Sequence, residues 1–353
     1  MGLYFSWSKR ALTASLFGVA GVALTACGGG SDQQADGAAQ VAVGTTQAQP
    51  TDSATRRSAR PYDRAGITAL AVSADGASIA AAGADGSSSV LDSSDRKVRM
   101  RILSHNKRPT TGVVFSADGR RVVTVGRDSV VQIWDVETNT KLLTLNGHAH
   151  AIRTVASSGA AGLIATAGEE TRVMLWDAST GRLKRVLNGH SDFVNTVAFS
   201  PDGKLLASGD AAARVLVWDI ASGKLVHTLR GHSGEVNAVA FAPGGSLLAS
   251  AGEDSQVIVW DIGKGQLAFK FDAPPTAMRS LAFSGDGSWL AGGGATGSLI
   301  VWDMVSRQVV RSLYGSGGAV NAVAFDTKSR ELLFTGNEDN RVVQWDLIRG
   351  TAR

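Results

Sequence analysis

Side chains able to do chemistry are few in this chain. His105, His148, His150, His190, His227 and His232 supply all its imidazole, and Cys27 is the only thiol in 353 residues. One cysteine forms neither an intramolecular disulfide nor a thiolate metal cage. No His-Glu-x-x-His motif, cysteine pair or acidic calcium loop occurs, so metal hydrolysis and calcium capture lack ligands at the spacing they need. The run Gly292-Gly293-Gly294 reads as part of a strand. A phosphate-cradling loop would lead into a helix N-terminus instead, so close packing accounts for the glycines. The expectation is a protein that is not an enzyme, with no cofactor and no metal.

Charge points the same way. The formal net charge is +4, and the one dense basic run is Arg56, Arg57, Arg60 and Arg64. Nucleic-acid binding usually gathers cations on one face or element; this run reads as a solvated linker or a first strand, so no nucleic-acid partner is expected. Hydrophobic residues make up 44% of the chain, charged residues 19%, and there are 42 glycines but few aromatics. That mix suits short strands joined by tight turns, because glycine inside a helix costs about 1 kcal/mol relative to alanine.

The amino terminus reads as an address. Lys9 and Arg10 precede an apolar run from Ala11 to Ala23, too short to span a bilayer stably and built like a secretory signal peptide. The following Leu24-Thr25-Ala26-Cys27 resembles the lipobox of bacterial lipoproteins. That resemblance implies a signal peptide over 1–26 and a lipidated Cys27 as the first mature residue. It places the chain in the bacterial cell envelope, extracytoplasmic and membrane-anchored; Gly28 in place of aspartate favours a Gram-negative outer membrane facing the periplasm. Residues 27–54 are almost devoid of large apolar side chains and read as a flexible tether. The folded domain is expected over 55–353.

Within that domain one period dominates. Trp-Asp pairs stand at Trp134, Trp176, Trp218, Trp260, Trp302 and Trp345, separated by 42, 42, 42, 42 and 43 residues, and Leu91-Asp92 is a degenerate earlier copy. Each unit holds four short aliphatic and β-branched runs bounded by turn residues. Asp75-Gly76, Asp118-Gly119, Asp202-Gly203 and Asp286-Gly287 recur between the second and third runs, where Asp-Gly closes a hairpin. The pattern resembles the WD-repeat family, whose period is about 40–45 residues with four strands per blade. It implies an all-β, seven-bladed WD-repeat β-propeller with four antiparallel strands per blade. Only seven residues follow Asp346, too few on this reading for a turn and an outer strand, so a segment near Thr55–Pro61 is expected to complete the last blade.

The resemblance also implies a buried hydrogen-bond network in each blade. It links a Gly-His histidine, a Ser/Thr ten residues before the Trp, an Asp six before it, and the Trp. The positions are His105, Thr124, Asp128 and Trp134, with Ser104 replacing the glycine; His148, Thr166 and Trp176, with Glu170 for Asp; His190, Ser208 and Trp218, with Ala212 breaking the chain; and His232, Ser250, Asp254 and Trp260. The Trp302 unit has Gly292 and Thr296 and lacks the network, and the Trp345 unit has Thr335, Asp339 and Ser316. Four of the six histidines therefore read as structural.

Recognition is left to loops and channel mouths, because the strands are committed to packing. A polar residue recurs at the start of the second run of each unit: Thr68, Thr111, Arg153, Asn195, Asn237, Arg279 and Asn321. In the family this region lines the top entrance, where proteins and peptides dock; Arg108, Phe193 and Glu235 lie nearby. The function expected is a monomeric, lipid-anchored scaffold that binds a protein or peptide. The alternatives are a sensor holding a small anionic ligand in the central channel through Arg153 and Arg279, and a propeller hydrolase.

Overall fold

A computed structural model of the chain describes residues 66–352 apart from 104, 273–275 and 315–317. Cys27, the tether and the Thr55–Pro61 segment lie outside the described residues. Among the described residues, twenty-eight strands form seven four-stranded antiparallel sheets, each ordered as in the sequence. These are blades 1 to 7, over 67–103, 110–145, 152–188, 194–230, 236–271, 278–314 and 320–352. The first strand of each blade packs beside the first strands of its neighbours, and Val320–Phe325 of blade 7 lies against Ile67–Val72 of blade 1, so the ring closes.

A single blade leaves both faces apolar, and stacking covers them. The second and third strands are buried nearly throughout: Leu205–Asp210 and Arg214–Asp219 of blade 4 sit between blades 3 and 5. Each core cluster joins residues of two neighbouring blades, as where Leu216 and Trp218 of blade 4 meet Ala165 and Leu175 of blade 3. Fourth strands such as Leu225–Arg230 alternate toward solvent.

Two sets of turns define two faces. On the face called top here, an N–H of the second-to-third turn donates to the carbonyl just before the first strand, in blade after blade: Arg127 to Pro109 at 3.0 Å, Glu169 to Ala151 at 2.8 Å and Ala211 to Phe193 at 2.9 Å. On the opposite face the aspartate of each Trp-Asp pair caps the turn that follows, as where Asp219 Oδ1 accepts the Ser222 N–H at 2.8 Å. These aspartates are structural. The Asp-Gly turns lie there too, with Gly203 at φ 70° and its Cβ position only 2.7 Å from the Ala161 nitrogen; glycine alone fits both demands.

The last blade departs from expectation. The residues after Asp346 do make a turn and a strand: Leu347 N–H donates to Glu331 O at 2.8 Å, and Thr351–Ala352 pairs with Asp346 and Trp345. The carboxyl terminus thus supplies an outer strand of two residues, because the seven residues after Asp346 suffice for a tight turn and one short pairing. Val342, Val343 and Gln344 have no fourth-strand partner among the described residues.

Candidate functional site

The histidine networks are the first test of whether this chain could do chemistry. In blade 5, Trp260 Nε1–H donates to Ser250 Oγ at 2.8 Å, Ser250 Oγ lies 2.7 Å from His232 Nε2, and His232 Nδ1 lies 2.9 Å from Asp254 Oδ2. A carboxylate only accepts, so Nδ1 carries the proton, Nε2 accepts from the hydroxyl, and the hydroxyl accepts from the indole. In blade 2, His105 meets Thr124 at 3.0 Å and Asp128 at 2.8 Å, and Trp134 donates to Thr124 at 3.3 Å.

Hydroxyl, imidazole and carboxylate are the components of a nucleophilic triad, but these are sealed. Thr124, Thr166, Ser208 and Ser250 are fully buried, and each hydroxyl is capped by an indole. Burial holds His105, His148 and His232 below the ordinary imidazole range, against the pull of their carboxylates. The glycine of Gly-His is there for the tryptophan: a Cβ on Gly231 would lie 2.9 Å from Trp260 Cη2.

Two blades rebuild the carboxylate slot. In blade 3, Glu170 fills it, bonded to His148 Nδ1 through one oxygen and to Arg172 Nε at 3.1 Å through the other. His148 Nε2 and Trp176 Nε1 share Thr166 Oγ1 at 2.6 and 2.7 Å. In blade 4 the network is intact, contrary to the reading that Ala212 breaks it. Asp210, two residues earlier, bonds His190 Nδ1 at 2.8 Å, with Ser208 2.6 Å from Nε2 and 2.8 Å from the Trp218 indole nitrogen. Burial alone would raise the Asp210 carboxyl, but hydrogen bonds from His190 and Arg214 outweigh it and hold the group below its usual range. The detectable signal was an aspartate where blades 2, 3 and 5 carry Gly126, Gly168 and Gly252.

In blade 6, Trp302 Nε1 has no hydrogen-bond partner among the described residues, and the indole stacks on Phe271 at 5.3 Å. Thr296 bonds Thr276 at 3.3 Å instead. In blade 7, Trp345 donates to Thr335 at 3.0 Å; Ser316 lies outside the described residues.

The polar residues at the channel mouth come together as a belt linking blade to blade. Thr68 donates to Thr110 O at 2.6 Å and Thr111 to Ile152 O at 2.6 Å. Asn195 donates to Val236 O at 3.3 Å, Asn237 to Met278 O at 3.1 Å and Asn321 to Ile67 O at 2.8 Å, the last across the closure. At the two remaining positions Arg153 donates to Asn195 Oδ1 and Arg279 to Asn321 Oδ1, each at 2.7 Å. Carboxylates that sequence reasoning passed over sit beside them. Glu169 lies 3.3 Å from Arg153, Glu338 lies 2.9 Å from Arg279, and Glu253 accepts from Asn237 at 2.8 Å. Their signal is a shared position seven residues before the blade tryptophan. With both arginines neutralised, the mouth offers little net attraction to a small anion.

One member of the predicted ring stands apart. Phe193 is 42% exposed, in the loop before blade 4, and the Arg153 guanidinium lies 5.2 Å from its ring centroid. Glu235 accepts from Asn195 at 3.2 Å on the same side. Arg108 is also exposed, on the loop before blade 2. Among the described residues no group of three or more histidine, cysteine, aspartate or glutamate side chains is placed to hold a metal ion.

Comparison with known families agrees with this architecture. WD40 repeats (WD domain, G-beta repeat) match residues 181–219, 223–261, 265–303 and 307–346. Residues 18–178 are similar to the N-terminal domain of nucleolar protein 10-like proteins, a β-propeller. No curated protein matches the chain. Repeat period, sheet order and family matches converge: the chain is a seven-bladed β-propeller, four stretches of which, between 181 and 346, match the WD40 repeat.

Proposed function

We propose that this propeller is a lipid-anchored, extracytoplasmic scaffold that binds a protein or peptide through its top face and catalyses no reaction. The observation that carries the binding role is Phe193, an exposed aromatic beside the Arg153 guanidinium, at a mouth whose polar side chains already have hydrogen-bond partners. Aromatic and arginine side chains are the usual anchors of interfaces. The anchoring half of the reading rests on Leu24-Thr25-Ala26-Cys27 directly after a short apolar run. Several acyl chains at Cys27 would hold the protein stably, because each buried methylene adds about 0.8 kcal/mol and one chain alone is marginal. Gly28 favours the outer membrane, and the glycine- and alanine-rich stretch behind it serves as the spacer.

Two experiments test the two halves. A photo-crosslinking side chain at position 193 in intact cells is expected to trap a discrete protein partner, and Arg153→Ala is expected to weaken the product. No crosslinked protein, together with turnover in a substrate screen, would overturn the scaffold. Cys27→Ser is expected to move the protein from the membrane fraction to the soluble one; unchanged fractionation would remove the anchor.

A further inference from the structure

The top edge between blades 1 and 2 carries a second, differently charged surface. The loop joining them turns through three consecutive non-glycine residues in the left-handed region: His105 at φ 59°, Asn106 at φ 48° and Lys107 at φ 62°. L-residues avoid that region singly, let alone in series. Tertiary contacts impose it here. His105 is tied down by Thr124 and Asp128. Gly86, at φ 85°, lies directly beneath the loop; a Cβ there would stand 2.5 Å from Arg108 O and 2.9 Å from Lys107 Cα.

What this rigid turn presents is cationic and apolar. Lys107 and Arg108 are exposed, as is Arg127, whose N–H bonds Pro109 O at the base of the same loop. None of the three makes an ion pair among the described residues. The neighbouring carboxylates are engaged elsewhere, Asp85 with Ser87 at 2.8 Å and Asp128 with His105. Leu103, paired with Ser87 at the end of the outer strand, is 89% exposed. Around the mouth Glu169, Glu235, Glu253 and Glu338 supply carboxylates instead, with Arg153 and Arg279 paired to two of them.

We propose that Leu103, Lys107, Arg108 and Arg127 form a docking site for an acidic peptide segment of a partner protein, with an aliphatic side chain of that segment covering Leu103. This rests on the reading that the top face binds protein, and it adds the chemistry of the segment bound. Charge complementarity carries it: three exposed cations, without an ion pair among the described residues, lie on the loop that follows the exposed Leu103 and on the turn bonded to its base, on a backbone held in place before binding. A fixed loop loses little freedom on association.

The test is fluorescence anisotropy of the full chain in detergent, with a labelled peptide of glutamate and leucine as probe. Saturable binding is expected, weakening with salt. It should fall at least about tenfold in Lys107→Glu/Arg108→Glu/Arg127→Glu, as loss of contacting charges implies, and measurably in Leu103→Ser, with unchanged melting temperatures. Val305→Ala, at an exposed turn on the opposite face, should bind the probe normally. Equal binding of a glutamine-for-glutamate peptide, or equal binding by the charge-reversed variant, would overturn the proposal. So would preference for phosphatidylglycerol vesicles, which would make the patch a lipid contact. A protein that crosslinks a partner through position 193 yet ignores the probe would sink this site alone; failure of both would sink the underlying reading.

Discussion

The carboxylate of Asp210 reaches His190 Nδ1 at 2.8 Å from two residues upstream of the position that Asp128 and Asp254 occupy in their blades. Blade 4 therefore solves the same buried hydrogen-bond problem with a displaced acid. Asp210 also accepts from Arg214 Nη2 at 2.7 Å and is fully buried.

Removing it leaves a buried imidazole and a guanidinium without their acceptor. Asp210→Gly is expected to cost about 3 kcal/mol, the scale for breaking a buried charged pair. Adding Ala212→Asp on that background recreates the Gly-then-Asp arrangement of blades 2 and 5 and should recover most of the loss. Urea unfolding of wild type, single and double variants decides it; a single variant as stable as wild type would refute the account.

Ala213 holds φ 64° in the turn after Asp210, where blades 2 and 5 have Ser129 and Ser255 in the same conformation and blade 6 has Gly297. A Cβ in that region costs about 1–2 kcal/mol, partly offset by the greater freedom glycine gives the unfolded chain. Ala213→Gly should stabilise by about 0.5–1 kcal/mol, read as a higher urea midpoint at constant slope.

Buried histidines set a pH dependence. His105, His148 and His232 are held below the ordinary value of 6.5, mainly by burial. Below pH 6.5 the unfolded chain takes up protons that the folded chain refuses, so stability is full above that value and declines as pH falls through it. Turn-capping carboxylates add a second loss at more acid pH: Asp92, bonded chiefly by Ser94, is held down to about 2, and its contribution disappears as pH falls toward that value. Melting temperature should be flat from pH 8 to 7 and drop between pH 6.5 and 5, a course that differential scanning calorimetry can follow.

The last blade gives a truncation test. Fourth strands end six or seven residues before the next first strand, as Arg230 does before Val236 and Leu145 before Ile152. Counting back from Ile67 reaches 61 or 60, inside the Thr55–Pro61 segment expected to complete this blade, whose third strand is paired on its outer side at Trp345 and Asp346 alone among the described residues. Deleting residues 27–54 should leave the melting temperature unchanged, whereas extending the deletion through 61 should lower it by several degrees. Equal melting temperatures would assign no closing role to the segment.

Blade number and strand order were legible because the Trp-Asp spacing repeats at nearly constant interval, and a repeat that regular admits one stacking. The histidine networks were legible wherever side chains kept their distance from the tryptophan. Asp210 escaped because fixed-distance counting cannot see a carboxylate that reaches the same atom from another backbone position. The belt at the mouth was misjudged for a different reason. Thr68, Thr111 and Asn237 bond to carbonyls about 41 residues away, a relationship that exists only once blades are side by side. Polar residues at a channel entrance looked available; in three dimensions most already have partners.

That belt constrains how such a protein can change its binding preferences. Exchanging a threonine or asparagine at the orifice alters recognition and loosens a join between neighbouring blades in one stroke, so drift there is penalised twice. Exposed sites off the belt, around Phe193 and the left-handed loop at Lys107, carry no such double duty. Diversification among descendants of this chain should accumulate at those outlying positions, with the orifice left nearly invariant.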